Sequence, residues 1–269
     1  MQNQNFLLLD SAMGTELLKL ALSEEVKSHT ELANRIDPKC VQNIHAQNIY
    51  AGSHFIRTHT FTCNPLSMLE KGFTEQDCFD LIKLSIENAQ AASTENTKIV
   101  GSIGPMTQYL KNKYKTETKV ESYKKIGDTF FSKGITTILF ETFSHISELE
   151  IALKGIERLQ NKQVEIWVSF FQVEYIKRSP QGFSNLLRKY NVKRWGFNCC
   201  SGNDILTWLS EVKYEIYPSL FLPNGNDWYG EEVQQKLSQL QTLQNQKVIL
   251  GGCCGSTHHL ISKIANHHP

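Results

Sequence analysis

Three cysteines in this sequence stand where a metal-binding cluster could form. Cys253 and Cys254 lie side by side, shortly after the apolar run 247–250 and between glycines. Cys199 stands in a similar place, one asparagine beyond the apolar run 194–197. Three thiolates can hold Zn²⁺ and leave its fourth position open, which distinguishes a catalytic zinc from a structural one. That position suits the thiol of a substrate, which would lose its proton on binding and become a nucleophile.

A simpler interpretation exists for any one of these cysteines. A lone cysteine at such a place is at least as often a small buried residue in a tight turn. Two separate segments that both end in cysteine favour the metal site. We assign Cys200 to packing, because the neighbour of a strand-end ligand points the other way. His258 and His259 follow the cysteine turn, and we interpret them as first-turn residues of the last helix rather than as ligands.

Cysteine number and chain ends indicate a cytoplasmic protein. Seven cysteines is an odd number, and no secretion signal is recognisable, which predicts reduced thiols and argues against a disulfide framework. A bond between Cys253 and Cys254 would need a strained ring. The apolar run at residues 6–9 is too short for a signal peptide, and no run is long enough to span a membrane.

Composition excludes several function classes. The 269 residues are 40% hydrophobic and 20% charged, which is typical of a globular chain and not of a disordered one. The net charge is only +1, and the densest basic stretch, residues 111–115, is short enough to be a solvated loop. We therefore expect neither a nucleic-acid nor a membrane partner.

Short apolar runs alternate with segments of helical periodicity along the chain. The predicted strands are residues 6–9, 54–57, 98–101, 136–140, 165–170, 194–197, 217–222 and 247–250. The predicted helices are residues 38–51, 75–92, 119–133, 146–160, 183–190, 204–212, 231–243 and 258–266. Strict alternation of eight strands and eight helices predicts an α/β chain with one domain, residues 1–269, folded as a (β/α)₈ TIM barrel. An open doubly wound sheet is the alternative, but no strand is followed by Gly-x-Gly-x-x-Gly.

Local signals refine this assignment. Asp37 before a proline and Thr74 before residue 75 are predicted helix caps. Residues 20–34 fit the alternation poorly and are predicted to form a longer first loop.

Carboxylates also fall at predicted strand ends, where barrel enzymes place their chemistry. Asp10 follows the first strand and Glu141 the fourth, and together they could grip an ammonium group. Asp10 could instead cap a short helix at residues 14–18, and either carboxylate could form a surface salt bridge. Thr58 and Thr60, after the second strand, could equally pack at the rim.

The chain resembles the homocysteine S-methyltransferase family, which includes the homocysteine-binding module of methionine synthases. The resemblance extends nearly end to end, through residues 10–15, 31–34, 45–52, 58–61, 101–105, 141–142, 196–199, 223–224 and 251–255. The most specific match to the family is Gly-Gly-Cys-Cys-Gly together with Asn198-Cys199. Each of the other segments is a weak match alone, but their occurrence in the same order supports the resemblance. Segments 31–34 and 58–61 look more like the methionine-synthase-type module than the betaine-dependent branch.

The resemblance implies a zinc enzyme that methylates the sulfur of L-homocysteine to give L-methionine. Cys199, Cys253 and Cys254 would hold the zinc and form the catalytic centre. The resemblance further implies that Asp10 and Glu141 bind the amino group of the substrate. Backbone N–H groups near Ser11 and Ala12 would bind its carboxylate, and Asn224 would lie beside the metal. Ser11 departs from the glycine usual in the family, and a positive φ there would cost stability or alter the pocket.

The methyl donor and two other function classes stay open at this point. S-methylmethionine or S-adenosylmethionine suits an enzyme of this length, whereas methyltetrahydrofolate acting through cobalamin would need further domains or a separate partner. Betaine fits the matching segments less well. A non-catalytic zinc barrel that senses or stores homocysteine, and a redox protein that uses vicinal thiols, are the alternatives.

Overall fold

Eight parallel strands form a barrel. The computed structural model describes residues 6–20, 22–106, 110, 113–171, 174–211, 215–225 and 231–266. The strands are β1 (Leu7–Leu8), β2 (Phe55–Arg57), β3 (Lys98–Ile103), β4 (Thr137–Phe143), β5 (Glu165–Phe170), β6 (Val192–Asn198), β7 (Leu220–Leu222) and β8 (Ile249–Leu250). Their order in the sheet is β1-β8-β7-β6-β5-β4-β3-β2, and Leu9 closes the ring through a parallel bridge to Phe55. The predicted (β/α)₈ barrel is confirmed.

Helices follow the strands and cover the outside of the barrel. The α-helices in the described ranges are α1 (Met13–Lys19), α2 (Glu24–Ser28), α3 (Ala33–Ile36), α4 (Pro38–Tyr50), α5 (Pro65–Glu70), α6 (Glu75–Ala92), α7 (Thr116–Ser132), α8 (Ile146–Ile156), α9 (Glu174–Arg178), α10 (Pro180–Lys189), α11 (Gly202–Glu211), α12 (Glu231–Gln244) and α13 (His258–Asn266). Two 3₁₀ helices span Thr30–Leu32 and Glu157–Lys162. Among the described residues, no helix combines the length and the apolar character that crossing a bilayer requires.

The differences from the predicted elements lie at the ends of strands and helices and in short helices, such as α2, α5 and α9, that fall between the predicted elements. Strands β3, β4 and β6 run further than predicted, so Glu141 and Asn198 belong to strands and do not follow them. Residues 20–34 were predicted to be a loop, but their described part holds α2, a 3₁₀ turn and the start of α3, because Ser23 caps a short helix that apolar spacing alone does not reveal. Both predicted caps are confirmed, since Asp37 accepts from the Cys40 N–H and Thr74 forms a capping box with Asp77.

The interior of the barrel is filled by apolar side chains up to the level of the cysteines. Its members are Leu9, Phe55, Val100, Leu139, Trp167, Leu220, Leu222, Ile249 and Cys253, with Cys199 packed against them. Trp167 is 1% exposed, and its ring meets Phe55 edge-on at 5.1 Å. This packed interior makes the carboxyl end of the barrel the floor of a site and not the mouth of a channel.

Candidate functional site

A cavity of about 500 Å³ opens at the carboxyl ends of the strands. Its wall includes all three predicted zinc cysteines and both predicted carboxylates. Ser11 and Ala12 also line it. The barrel therefore brings these predicted site residues to one concave surface, although they are up to about 240 positions apart in the chain.

The three cysteines converge on one wall of this cavity. Their sulfur atoms all lie within 4.8 Å of one another, and Cys199 Sγ is 3.9 Å from Cys254 Sγ. Sulfur atoms that share one tetrahedral zinc stand about 3.8 Å apart. Cys253 is buried, whereas Cys254 is exposed. The three thiols are a donor set that fits Zn²⁺, and the separation of Cys199 from Cys254 matches this spacing. The cavity leaves an approach for a further ligand.

The sulfur atoms of Cys199 and Cys253 are in direct contact, as in a disulfide. This differs from the expectation that all seven thiols are reduced, and the physical reason is that residues placed to share one metal also lie close enough to bond to each other. The pair in contact is not Cys253 with Cys254. Cys254, Cys200 and the three cysteines outside the site are free thiols.

Tight backbone packing places Cys199. The strands β6 and β7 approach so closely that a Cβ at Gly196 would lie 1.6 Å from the Leu220 carbonyl oxygen, so only glycine fits. At the end of β6, Cys199 adopts a positive φ of 53°, which a non-glycine residue seldom adopts. Its N–H donates to the Leu222 carbonyl at 2.9 Å. Strained backbone of this kind recurs at functional sites.

Asn198 supports the cysteines from beneath, a role that sequence reasoning missed. Its side chain is fully buried, and its Nδ2 lies 3.4 Å from Cys199 Sγ and 3.7 Å from Cys253 Sγ. The same nitrogen donates to Thr142 Oγ1 at 2.6 Å, and Asn198 Oδ1 accepts from the Thr142 N–H. An amide directed at two sulfur atoms stabilises their thiolate form. The available signal is the Asn198-Cys199 pair, in which the pattern predicts a role for the cysteine but none for the asparagine.

Arg57 is the second residue that sequence reasoning missed, and it joins the two carboxylates of the cavity lining. Its Nε donates to Asp10 Oδ1 at 2.8 Å, and its Nη1 donates to Glu141 Oε2 at 2.9 Å. The backbone N–H of Arg57 donates to Asp10 Oδ2 at 2.8 Å. Asp10 is therefore neither a helix cap nor part of a surface salt bridge, because it belongs to a buried ion cluster with Arg57 and Glu141. An arginine that ends an otherwise apolar strand was the available signal.

The chain fixes this guanidinium firmly. Its Nη2 donates to the carbonyl oxygens of Asp10, Ser11 and Gly252 at 2.8–3.0 Å. Burial raises the pKa of Asp10 to about 6, and the nearby Arg57 opposes that rise. The pKa of Arg57 is itself raised above its ordinary value by the two carboxylates, against the effect of burial. Both consequences follow from taking three charges out of water while keeping them paired.

The first strand end provides backbone donors that are already engaged. The Ser11 N–H donates to Asn48 Oδ1 at 2.9 Å, and the Ala12 N–H donates to Ser256 Oγ at 3.2 Å. Ser11 is not among the residues with positive φ, so its backbone does not require the family's glycine. Its hydroxyl oxygen lies 2.8 Å from both Glu16 Oε1 and Asn48 Oδ1, so its one proton is donated to one of these two acceptors.

The remaining candidates lie at or beyond the edge of the site. Asn224 is exposed and is not part of the cavity wall, although its N–H donates to the Cys200 carbonyl. Cys200 is 4% exposed within the outer core, which confirms its assignment to packing. His258 and His259 begin α13 as predicted. The hydroxyls of Thr58 and Thr60 are 2.7 Å apart, and both residues are buried, but only Thr58 lines the cavity.

Comparison with known proteins agrees with this geometry. The family described as Homocysteine S-methyltransferase matches residues 7–268. The chain is 24% identical to a homocysteine S-methyltransferase of Escherichia coli (strain K12), over 96% of this chain and 93% of that protein. It is also 24% identical to a methionine synthase of Mycobacterium leprae (strain TN), over 97% of this chain but only 24% of that protein.

Solved structures show the same fold. The metallated form of the homocysteine methyltransferase MmuM from Escherichia coli superposes with a TM-score of 0.77 at 20% identity, over 97% of this chain and 96% of that one. The oxidized form of the same protein gives a TM-score of 0.72 at 21% identity, over 98% and 96%. The likeness extends over nearly the full length of each chain.

Proposed function

Because the chain belongs to the homocysteine S-methyltransferase family, we propose that it transfers a methyl group to the thiol of L-homocysteine and releases L-methionine, with Zn²⁺ bound by Cys199, Cys253 and Cys254. The observation that carries this proposal is the convergence of three sulfur atoms within 4.8 Å on the wall of a deep cavity. The family sets the reaction, and the donor set favours zinc because soft thiolates select it over Mg²⁺ or Ca²⁺.

Each wall of the cavity has a part in this proposal. Bound zinc would stabilise the acceptor's thiolate, so that no separate general base is required. Asn198 would hold the ligand thiolates through its amide. The acceptor's ammonium would meet the lone pairs that remain on Asp10 and Glu141 beside Arg57. Its carboxylate would lie near Ser11 and Ala12, where it would share or replace the hydrogen bonds those N–H groups now make.

The chemistry is a single in-line displacement. The acceptor sulfur donates an electron pair to the methyl carbon as the bond between that carbon and the donor breaks. With a sulfonium donor, the released electron pair stays on the donor sulfur, which leaves as a neutral sulfide. The thiol proton has passed to solvent before attack, and the rest of the rate gain comes from holding the two sulfur atoms in line.

We further propose S-methylmethionine or S-adenosylmethionine as the donor, and we place Asn224 near the bound metal. The Escherichia coli relative is matched over 93% of its length, whereas the methionine synthase continues far beyond its matched quarter. A small donor that diffuses in suits the first kind of architecture. Thiolate chemistry requires reduced cysteines, so the proposal includes a reducing, cytoplasmic setting. It also takes residues 1–269 as one domain.

A donor panel tests the proposal. The reduced protein, loaded with one equivalent of Zn²⁺, is incubated with homocysteine and with each of four donors: S-methylmethionine, S-adenosylmethionine, methyltetrahydrofolate with methylcobalamin, and betaine. Methionine is then quantified by mass spectrometry. We expect turnover with a sulfonium donor and its loss after chelation. Stoichiometric zinc and homocysteine binding without methionine from any donor would instead support a non-catalytic binding barrel.

Thiol titration separates the redox alternative. A zinc site predicts that a chelator increases the number of rapidly reacting thiols, because the metal protects Cys199, Cys253 and Cys254. A redox protein predicts the same titration with and without the chelator, together with weak zinc binding. This second result would contradict the zinc-dependent proposal.

A further inference from the structure

The two carboxylates of the acceptor pocket already have a cation between them. Arg57 reaches Asp10 with Nε and Glu141 with Nη1, at 2.8 and 2.9 Å. All three side chains are at least nine-tenths buried. Three backbone carbonyls hold the same guanidinium in place, so it does not swing away when a ligand arrives.

Every oxygen of the two carboxylates accepts a hydrogen bond from the chain. Asp10 uses one oxygen for the Arg57 side chain and the other for the Arg57 N–H. Glu141 uses one oxygen for Arg57 and the other for the Ser102 hydroxyl. An ammonium from the acceptor can add to these contacts, because each carboxylate has about four lone-pair positions. It is not needed to satisfy them.

Arg57 changes the net charge of the carboxylate cluster. Two carboxylates and one guanidinium leave a net charge of −1, whereas two carboxylates without Arg57 would leave −2. Where a ligand's ammonium is the only partner of a buried carboxylate, removing it costs at least about 30-fold in affinity, mostly because a bare charge is left behind. In this chain the carboxylates keep their partner when the ligand has no amino group.

We propose that Arg57 makes the acceptor's amino group dispensable, so that the pocket also methylates thiol carboxylates without an ammonium, such as 4-sulfanylbutanoic acid. This inference rests on the proposed function, and it extends the acceptor class from amino acids to thiol acids. The reaction balances as for homocysteine, since the acceptor sulfur loses its proton, gains the methyl group and releases the donor as a sulfide.

The unmodified protein provides the first test. Zinc-loaded protein is assayed with homocysteine and with 4-sulfanylbutanoic acid at a fixed, saturating donor concentration. We expect the two values of kcat/KM to agree within about tenfold. A preference for homocysteine greater than tenfold would overturn the inference.

An Arg57→Gln variant provides the second test. Without the guanidinium, the ammonium of homocysteine becomes the main partner of the carboxylates, so we expect the preference for homocysteine to rise at least tenfold over that of the unmodified protein. Guanidinium ion at about 10 mM should restore use of the amino-free thiol. Arg35→Gln is the matched control, because Arg35 also pairs with a carboxylate, Asp77, but at the exposed surface. An unchanged preference in a folded, zinc-loaded Arg57→Gln protein contradicts the inference.

Binding measurements keep this inference distinct from the proposed function. If no donor methylates either thiol, the proposed function fails, and calorimetry of both thiols with zinc-loaded protein still compares their Kd values. Agreement within tenfold then supports the role of Arg57, and a larger difference overturns it. Should Arg57→Gln not fold, the experiments on the unmodified protein decide the question alone.

Discussion

The cavity has two sets of polar groups, the cysteine wall (Cys199, Cys253 and Cys254) and the carboxylate wall (Asp10, Arg57 and Glu141), and these groups are paired differently. On the cysteine wall, one sulfur atom is exposed, and Asn198 is the polar side chain that supports the others. On the carboxylate wall, Asp10, Arg57 and Glu141 are buried and pair with one another. In the proposed function, the first wall would take an external partner, a metal ion, between its sulfur atoms. The second wall is complete before any ligand arrives.

This difference indicates which wall controls metal binding and which wall controls the choice of acceptor. A wall whose thiols have no charged partner in the chain gains most from a bound metal ion, so its residues should control metal content and rate together. A wall that is already neutralised in part gains less from a ligand's charge, so its residues should control stability and acceptor choice. Variants on each wall test this contrast.

Cys253→Ser should have the largest effect. Serine replaces a thiolate ligand by a hydroxyl that zinc prefers much less, so we expect loss of stoichiometric zinc and a fall in methyl transfer beyond the roughly 10–100-fold typical of losing a ligand's supporting partner. Metal content by elemental analysis and initial rates measure both. Cys200→Ala is the control, because Cys200 is a buried neighbour of Cys199 that packs in the outer core. Full zinc and full activity in Cys253→Ser would refute the zinc site.

Asn198→Ala tests the support beneath the sulfur atoms. It removes an amide that lies 3.4–3.7 Å from two of them, and we expect zinc affinity to fall by about 10–100-fold. Competition with a chromogenic chelator measures this affinity. Asn88→Ala serves as the control, because Asn88 is equally an interior asparagine but bonds to Asn34 away from the site. Equal zinc affinities in the two variants would show that the amide does not stabilise the thiolates.

The cysteine wall could be predicted from the sequence because its signal is local and specific. Cysteine pairs among glycines have few structural explanations, and the alternation of strands and helices places them at one end of a barrel. The convergence of Cys199 with Cys253 followed from the topology alone. Direct contact between their sulfur atoms did not, because it depends on distances that no pattern in the sequence contains.

The carboxylate wall was predicted only in part, because an ion cluster depends on which side chains meet across the barrel. The positions of Asp10 and Glu141 after apolar runs predict them as site residues, but Arg57 is the last residue of β2, and its position alone predicts only a strand. A charged residue at the end of a buried strand needs a buried partner. That rule would have connected Arg57 with the two carboxylates. The short helices of the first loop were missed because their apolar spacing is too brief to show a period.

The surroundings of the carboxylate wall should make stability sensitive to acid. His45 is fully buried in α4, neither ring nitrogen has a hydrogen-bond partner in the described structure, and burial lowers its pKa to about 3. Between pH 6.5 and 3 the unfolded chain binds a proton at this residue and the folded chain does not, so stability falls as the pH falls. The expected loss from His45 is about 2 kcal/mol at pH 5 relative to pH 7.

Protonation of Asp10 has the opposite effect on folding stability over part of this pH range. Its raised pKa lets the folded chain bind a proton first as the pH falls from about 6 to 3.8, which adds stability. A His45→Leu variant isolates the histidine, because Asp10 is common to both proteins. Urea unfolding at pH 5 and pH 7 should show a smaller loss for the variant by about 2 kcal/mol. Equal losses would mean that the folded protein protonates His45.

Ser11→Ala should have the smallest effect and separates the hydroxyl of Ser11 from its backbone. The hydroxyl can donate its proton to either Glu16 or Asn48. Both acceptors keep another donor when the hydroxyl is removed, namely the His258 N–H for Glu16 and the Ser11 N–H for Asn48. No buried group is left unsatisfied, so we expect a loss of about 1 kcal/mol in the free energy of unfolding. The KM for homocysteine should change by less than about twofold, since only the backbone is proposed to face its carboxylate. A tenfold rise in that KM with normal stability would place the hydroxyl itself against the acceptor and would make the departure from the family's glycine a matter of recognition.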